Sequence, residues 1–216
     1  MRKNRMMRLA SILMIAVGSI MNLSMNRILL SFTSTAVAVF GAYFKLQSFA
    51  FMPVFGLNNA MVPIIGYNYG AGKKERIYQV LRWAVTYACC IMFVVMIVFQ
   101  TIPHVLLLVF DASETMMAIG VPALRRISLC YICAGFCVVA GSACQALDKS
   151  FASLVVSVMR QLVVLLPAAW LLAKTGDVNM VWWSWPIAEI MGLTVSVLYL
   201  RSALKLMEKR LKVSVE

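Results

Sequence analysis

Apolar residues fill this chain in six long stretches: Leu9–Ile28, Ala36–Gly66, Val80–Phe99, Ile127–Ala146, Ala152–Leu172 and Val181–Leu200. A helix needs roughly 20 mainly apolar residues to cross the hydrocarbon core of a bilayer. In lipid the backbone must satisfy its own hydrogen bonds, which favours helices over open sheet. The pattern therefore predicts an all-α membrane protein built as a bundle of six transmembrane helices. The polar segments between the stretches are short, which implies one compact bundle. Ser31–Thr35 and Ala173–Met180 read as turns on one side, and Leu147–Phe151 as a turn on the other. Tyr67–Tyr78 carries Gly70 and Gly72 to turn the chain and Lys73-Lys74-Glu75-Arg76 to hold it in water. Thr101–Arg126 is the longest connection, and its Met116–Leu124 part is apolar enough to extend the fourth helix or lie along the interface.

Several stretches carry helix breakers. Ala36–Gly66 would be near 46 Å long as a helix, too long for one straight crossing. Pro53, Gly56 and Pro63 interrupt it, with Asn58-Asn59 between them. Pro167 and Pro186 fall in the fifth and sixth stretches. Each proline removes a backbone donor and kinks or breaks a helix, so the second span reads as broken and the fifth and sixth as interrupted in the same way. Such spans suit a protein that moves. Trp182, Trp183 and Trp185 begin the last stretch and read as an interfacial aromatic belt.

Composition agrees with the pattern: of 216 residues, 62% are hydrophobic and only 13% charged. The net charge of +12 changes the picture through its distribution. With the N-terminus inside, Arg2, Lys3, Arg5, Arg8, Lys73, Lys74, Arg76, Arg82, Lys149, Arg201, Lys205, Lys209, Arg210 and Lys212 are all cytoplasmic, 14 of the 20 basic residues. Only Arg27, Arg125, Arg126 and Lys174 flank the outer side. That bias matches the positive-inside rule and predicts both termini in the cytoplasm. Residues 1–8 then form a cytoplasmic basic tail, 9–205 the six-helix lobe, and 206–216 a second cytoplasmic tail. The apolar run after Met1–Arg8 is too long for a cleaved signal peptide. No basic patch stands clear of the lipid, so the bilayer rather than nucleic acid is the expected partner.

Charge inside a span is costly and marks candidate sites. Glu189 lies roughly 12 Å into the last span at 1.5 Å per residue. Lys45 sits at similar depth in the second span, and Arg160 lies near the midplane in the fifth. Glu189 is therefore expected to pair with Arg160 or Lys45, either as a tie that fixes helix register or as part of a functional site. Ser19, Asn22 and Asn26 share one face of the first span by helical spacing. That face either hydrogen-bonds a neighbouring helix or lines a cavity. Gln47 and Ser48 continue the polar character beside Lys45.

The six cysteines all fall inside spans and form no disulfide framework. Cys130 and Cys133 resemble half a metal site, but the single histidine, His104, lies elsewhere. Cys130, Ala134, Cys137, Gly141 and Cys144 recur at steps of four and three, a stripe of small side chains that lets membrane helices approach closely. No metal site is expected. There is also no Walker loop and no Ser/His/Asp set, so an ATP-driven pump or an enzyme is not indicated.

Five segments in three regions carry a family resemblance. Phe51-Met-Pro-Val-Phe-Gly-Leu57 and Pro63-Ile-Ile-Gly-Tyr-Asn-Tyr-Gly-Ala-Gly-Lys-Lys-Glu-Arg76 resemble the eighth-helix and loop segment of the multidrug and toxic compound extrusion (MATE) transporters. Gln145-Ala-Leu-Asp-Lys-Ser150 and Arg160-Gln-Leu-Val-Val-Leu-Leu-Pro167 resemble their tenth-to-eleventh helix region, and Trp185-Pro-Ile-Ala-Glu189 the twelfth. The likeness runs from about residue 9 to 205 and is nearest to bacterial members of the MepA and DinF type.

The resemblance implies the C-terminal half of a twelve-helix protein. Two six-helix lobes would enclose a central cavity. The expected function is secondary antiport in the bacterial inner membrane, exporting drugs or other amphipathic, often cationic, compounds in exchange for Na⁺ or H⁺. No cofactor is implied. The partners would be small organic substrates and either a missing N-terminal half or a second copy. The resemblance favours the face of Ser19, Asn22 and Asn26 as cavity-lining; Lys45, Gln47, Arg160 and Glu189 join Asn22 and Asn26 as candidate binding residues because they are polar or charged within spans. One departure stands out: members of the NorM type carry acidic residues on the first and fourth helices of this half, and here those spans have none. The alternatives are a flippase of lipid-linked oligosaccharides from the same superfamily, which would want a basic cavity, and a remnant that transports nothing.

Overall fold

The computed structural model describes the backbone of residues 2–147 and 150–213. It is a bundle of six helical rods, with no strand among the described residues. The first two rods are single helices, α1 (Arg2–Leu30) and α2 (Ser34–Gly70), and α3 (Lys74–Thr101) is the third. A short α4 (Pro103–Leu108) leads to the fourth rod, formed by α5 (Glu114–Ser128) and α6 (Tyr131–Ala146). The fifth joins α7 (Ser150–Val158), a π-helical turn (Met159–Leu165) and α8 (Leu166–Ala173). A one-turn α9 (Val178–Val181) precedes α10 (Ser184–Val213), which with it forms the sixth.

Four units among the described residues are long and apolar enough to cross a bilayer, and α5 with α6 makes a fifth, bent by 53°. The described apolar part of α1, Ile15–Leu30, is shorter, while the whole helix has 29 residues. Each expected stretch falls on one rod, in order. The expected turn around Asp148-Lys149 lies outside the described residues.

The rods begin and end where local chemistry permits. Thr33 caps α2 by accepting from the Thr35 N–H at 3.3 Å, and Ser113 caps α5 by accepting from Met116 at 3.3 Å. Gly72 at φ +70° and Gly176 at φ +79° make two of the reversals, a backbone region that costs glycine little. At the α5–α6 bend there is neither proline nor glycine. Gln100 of α3 donates to the Arg125 carbonyl at 2.7 Å and to Ser128 Oγ at 3.0 Å, and Ser128 in turn donates to that carbonyl at 3.0 Å. A neighbouring helix thus takes up a carbonyl that the break frees, as a buried bend in a membrane protein needs.

Three expectations require correction. First, α2 continues as one helix through Pro53 and Pro63; neighbours and side chains can absorb the lost donors in a membrane helix. The interruption expected at Pro167 is present, as a π turn in the fifth rod just before it. Proline cannot donate to the carbonyl four residues earlier, and a π turn offers that carbonyl the next N–H along. Second, the connection Thr101–Arg126 is mostly helical: Met116–Leu124 extends the fourth rod within α5, one of its two expected readings, while the short α4 was not anticipated. Third, Trp182 and Trp185 are buried, leaving Trp183 the exposed member of the expected belt. The i, i+3 spacing puts the first two on one inward face.

The core gathers around α6, which packs against α2, α3, α7 and α10. Tyr131 is fully enclosed between Phe51 and Phe99, at ring distances of 5.8 and 5.2 Å. The small-residue stripe of α6 is buried or half-buried. Its tightest approach is one position away, at Gly135, where a Cβ would stand 2.9 Å from Met92 Cγ on α3.

Candidate functional site

Between α1, α2, α6, the π turn and α10 lies a half-open recess of about 490 Å³. That is within the range of small-molecule sites, roughly 300–1,000 Å³. Its α2 wall is a stripe at helical spacing: Phe40, Phe44, Gln47, Phe51 and Phe55. Tyr43 and Trp185 close one end, with ring centroids 5.9 Å apart, and Phe40 lies 5.8 Å from the same indole. The α1 wall is more polar, with Ser19 and Asn22, and Gln161 faces Gly18, its Oε1 at ordinary contact distance (3.9 Å) from where a Cβ would stand.

The charged feature of the recess is one ion pair. Arg160 Nη1 donates to Glu189 Oε1 at 2.7 Å, joining the π turn to α10. The side chains are 25% and 12% exposed, so the pair borders the recess while most of it is packed in protein. Glu189 Oε2 and Gln161 Oε1 are buried and accept no hydrogen bond among the described residues. The π turn sets this geometry: it places Arg160 and Gln161, adjacent in sequence, both on the lining.

Gly192 makes the pair possible. It lies one turn beyond Glu189 on α10, and a Cβ there would stand 2.9 Å from Arg160 Cδ and 3.3 Å from its Cγ. The missing side chain is the channel along which Arg160 reaches the carboxylate. Gly192→Ala is expected to drive Arg160 out of line, at a cost of about 1–3 kcal/mol for overpacking. Thermal unfolding of the purified chain in detergent checks this, and wild-type stability would show that Arg160 can bend aside freely.

Of the six residues singled out in the sequence, Asn22, Gln47, Arg160 and Glu189 line the recess. Asn26 is half-buried one turn beyond Asn22 and does not line it. Lys45 is exposed, with its ammonium 5.9 Å from the centre of the Phe110 ring. Of the two partners expected for Glu189, the structure selects Arg160. The reason is angular: Lys45 and Gln47 are two residues apart, about 200° around the helix, so they cannot share a face. The aromatic lining and Gln161 were not anticipated. The aromatic spacing along α2 was visible in the sequence, whereas the inward turn of Trp185 was not.

A model of the MatE family matches residues 10–171. The FAD transporter of Shewanella oneidensis is 27% identical over 165 residues, covering 73% of this chain and 35% of its own. The multidrug export protein MepA of Staphylococcus aureus is 26% identical over 181 residues, covering 84% and 39%. Among solved structures, a MOP superfamily transporter from Pyrococcus furiosus superposes with a TM-score of 0.86 at 20% identity, over 93% of this chain and 46% of that one. The Vibrio cholerae MATE transporter VcmN in its bent form gives 0.86 at 21%, over 92% and 45%. At that identity the structures speak to fold alone. The chain spans less than half the length of these relatives.

Proposed function

The chain belongs to the MatE family, and from that premise we propose that it is one lobe of a secondary antiporter. In this reading residues 9–205 form the membrane lobe, and residues 1–8 and 206–216 lie in the cytoplasm. A second six-helix lobe closes the recess to make the substrate cavity. The complete protein sits in the bacterial inner membrane and exports amphipathic, often cationic, organic compounds against inward Na⁺ or H⁺. Substrates bind between the lobes, and rocking of the lobes alternates access.

The observation that carries this reading is the recess itself. An aromatic wall on α2 faces a polar strip on α1, beside an internal ion pair, within a bundle of membrane helices. Large apolar sites with a few placed polar groups suit amphipathic ligands. A flippase of anionic, lipid-linked sugars is less well supported. Among the described residues Arg160 is the one cation lining the recess and is offset by Glu189, while Arg27 and Lys45 are exposed elsewhere.

Ethidium efflux from membrane vesicles tests the proposal. The chain alone is expected to export nothing, and the chain co-expressed with a matching N-terminal six-helix half is expected to export in an ion-gradient-dependent way. Export by the chain alone would overturn the need for a distinct second lobe and point to two copies in its place. Silence of the combined halves, with both present in the membrane, would favour the remnant.

A further inference from the structure

A second recess, of about 510 Å³, lies further along α2, between that helix and the start of α3. It shares no lining residue with the first. Its order of chemistry is amphipathic. Lys73 and Arg76 line its end nearest the α2–α3 turn, and no carboxylate is among its described lining residues. Glu75 is not part of the lining; it is 87% exposed and 4.0 Å from Lys74. Beyond that end the walls turn apolar, with Met61 and Ile64 from α2 and Trp83 and Tyr87 from α3. Arg76, Trp83 and Tyr87 follow at steps of seven and four, so they share one helical face. At 1.5 Å per residue this face runs about 16 Å. Trp83 and Tyr87 are stacked, with centroids 5.8 Å apart, and each is 54% exposed, an open aromatic floor rather than a packed core.

We propose that this groove holds an anionic phospholipid, its phosphate between Lys73 and Arg76 and one acyl chain laid along Met61, Ile64, Trp83 and Tyr87. Charge complementarity fixes the head: two cations with no acid among the described lining residues attract a phosphate at the membrane surface. Depth fixes the rest. The indole of Trp83 lies about 10 Å below Arg76 along the helix axis, near where headgroup gives way to hydrocarbon. A soluble phosphate compound would use only the basic end and leave the apolar length unfilled. A lipid uses both.

The test is native mass spectrometry of the delipidated chain, titrated with phosphatidylglycerol or phosphatidylcholine of the same acyl chains. Phosphatidylglycerol is expected to be retained about tenfold better. Lys73→Gln/Arg76→Gln, two exposed positions, is expected to bring it down to the phosphatidylcholine level. In a Trp170→Phe/Trp183→Phe background, which removes the two other exposed indoles, phosphatidylglycerol with brominated chains is expected to quench tryptophan emission, and much less once Trp83→Phe is added. Equal retention of the two lipids, or a preference unmoved by the double variant, would overturn the proposal. So would quenching that survives loss of Trp83, or displacement of the lipid by glycerol phosphate at equal concentration. None of these outcomes depends on transport, so they stand apart from the antiporter reading.

Discussion

Arg160→Met, with Glu189 left in place, is expected to destabilise the bundle by roughly 3 kcal/mol, the low end for removing one partner of a buried ion pair. The low end applies because Arg160 remains 25% exposed to the recess. The loss is asymmetric. Methionine fills much of the arginine's volume, so little packing is forfeited, but the carboxylate keeps its charge and loses its donor. With Oε2 already unpartnered among the described residues, neither oxygen would then have a protein donor there. For a chain of this size the unfolding midpoint should fall by about 6–12 °C. Removing both charges, as in Arg160→Met/Glu189→Leu, should recover most of that loss, because apolar pairs of similar volume often match or exceed a buried ion pair. A double variant as unstable as the single one would mean that the α10 packing, rather than the charge, holds the π turn in place.

The six rods were legible because span length and hydrophobicity act locally. A stretch such as Val80–Phe99 can scarcely do anything but cross lipid, and α3 contains it. Features that depend on a distant partner were not legible. The α5–α6 bend carries no proline or glycine, and its freed carbonyl is taken by Gln100, 25 residues earlier. The π turn is foreshadowed by Pro167, yet proline alone does not say whether a helix will kink, break or widen. Pro53 and Pro63 carry the same signal and leave α2 continuous.

The recess shows the same division. Burial depth brought Glu189 to two possible partners but carries no angular information, and angle separates Arg160 from Lys45. Spacing of Ser19, Asn22 and Asn26 placed them on one face, but not how far along that face the recess extends. Gly192 was invisible for a different reason. Its importance lies in the Arg160 side chain that crosses it, a contact spanning 32 positions that no local pattern reveals.

In a complete two-lobed transporter, Glu189→Gln is expected to change which charge the cavity accepts. Among the described residues the wild-type recess carries one cation and one anion held together, so their joint contribution is nearly neutral. Glutamine keeps a carbonyl for Arg160 to donate to, which preserves the contact, but removes the negative charge. Arg160 then presents an uncompensated positive charge to the substrate. At about 8 Å and an effective dielectric near 20, one charge is worth about 2 kcal/mol, roughly thirtyfold in affinity. Efflux of a permanently cationic dye should therefore weaken by about that factor, after correction for the amount of protein in the membrane. Efflux of an anionic amphiphile should hold or improve. Arg160→Gln should do the reverse, favouring cations and penalising anions. This opposition is the informative part, since a fold defect or a lost coupling step lowers export of every substrate together. Equal loss for both dyes in both variants would make the pair a structural tie that substrates do not meet.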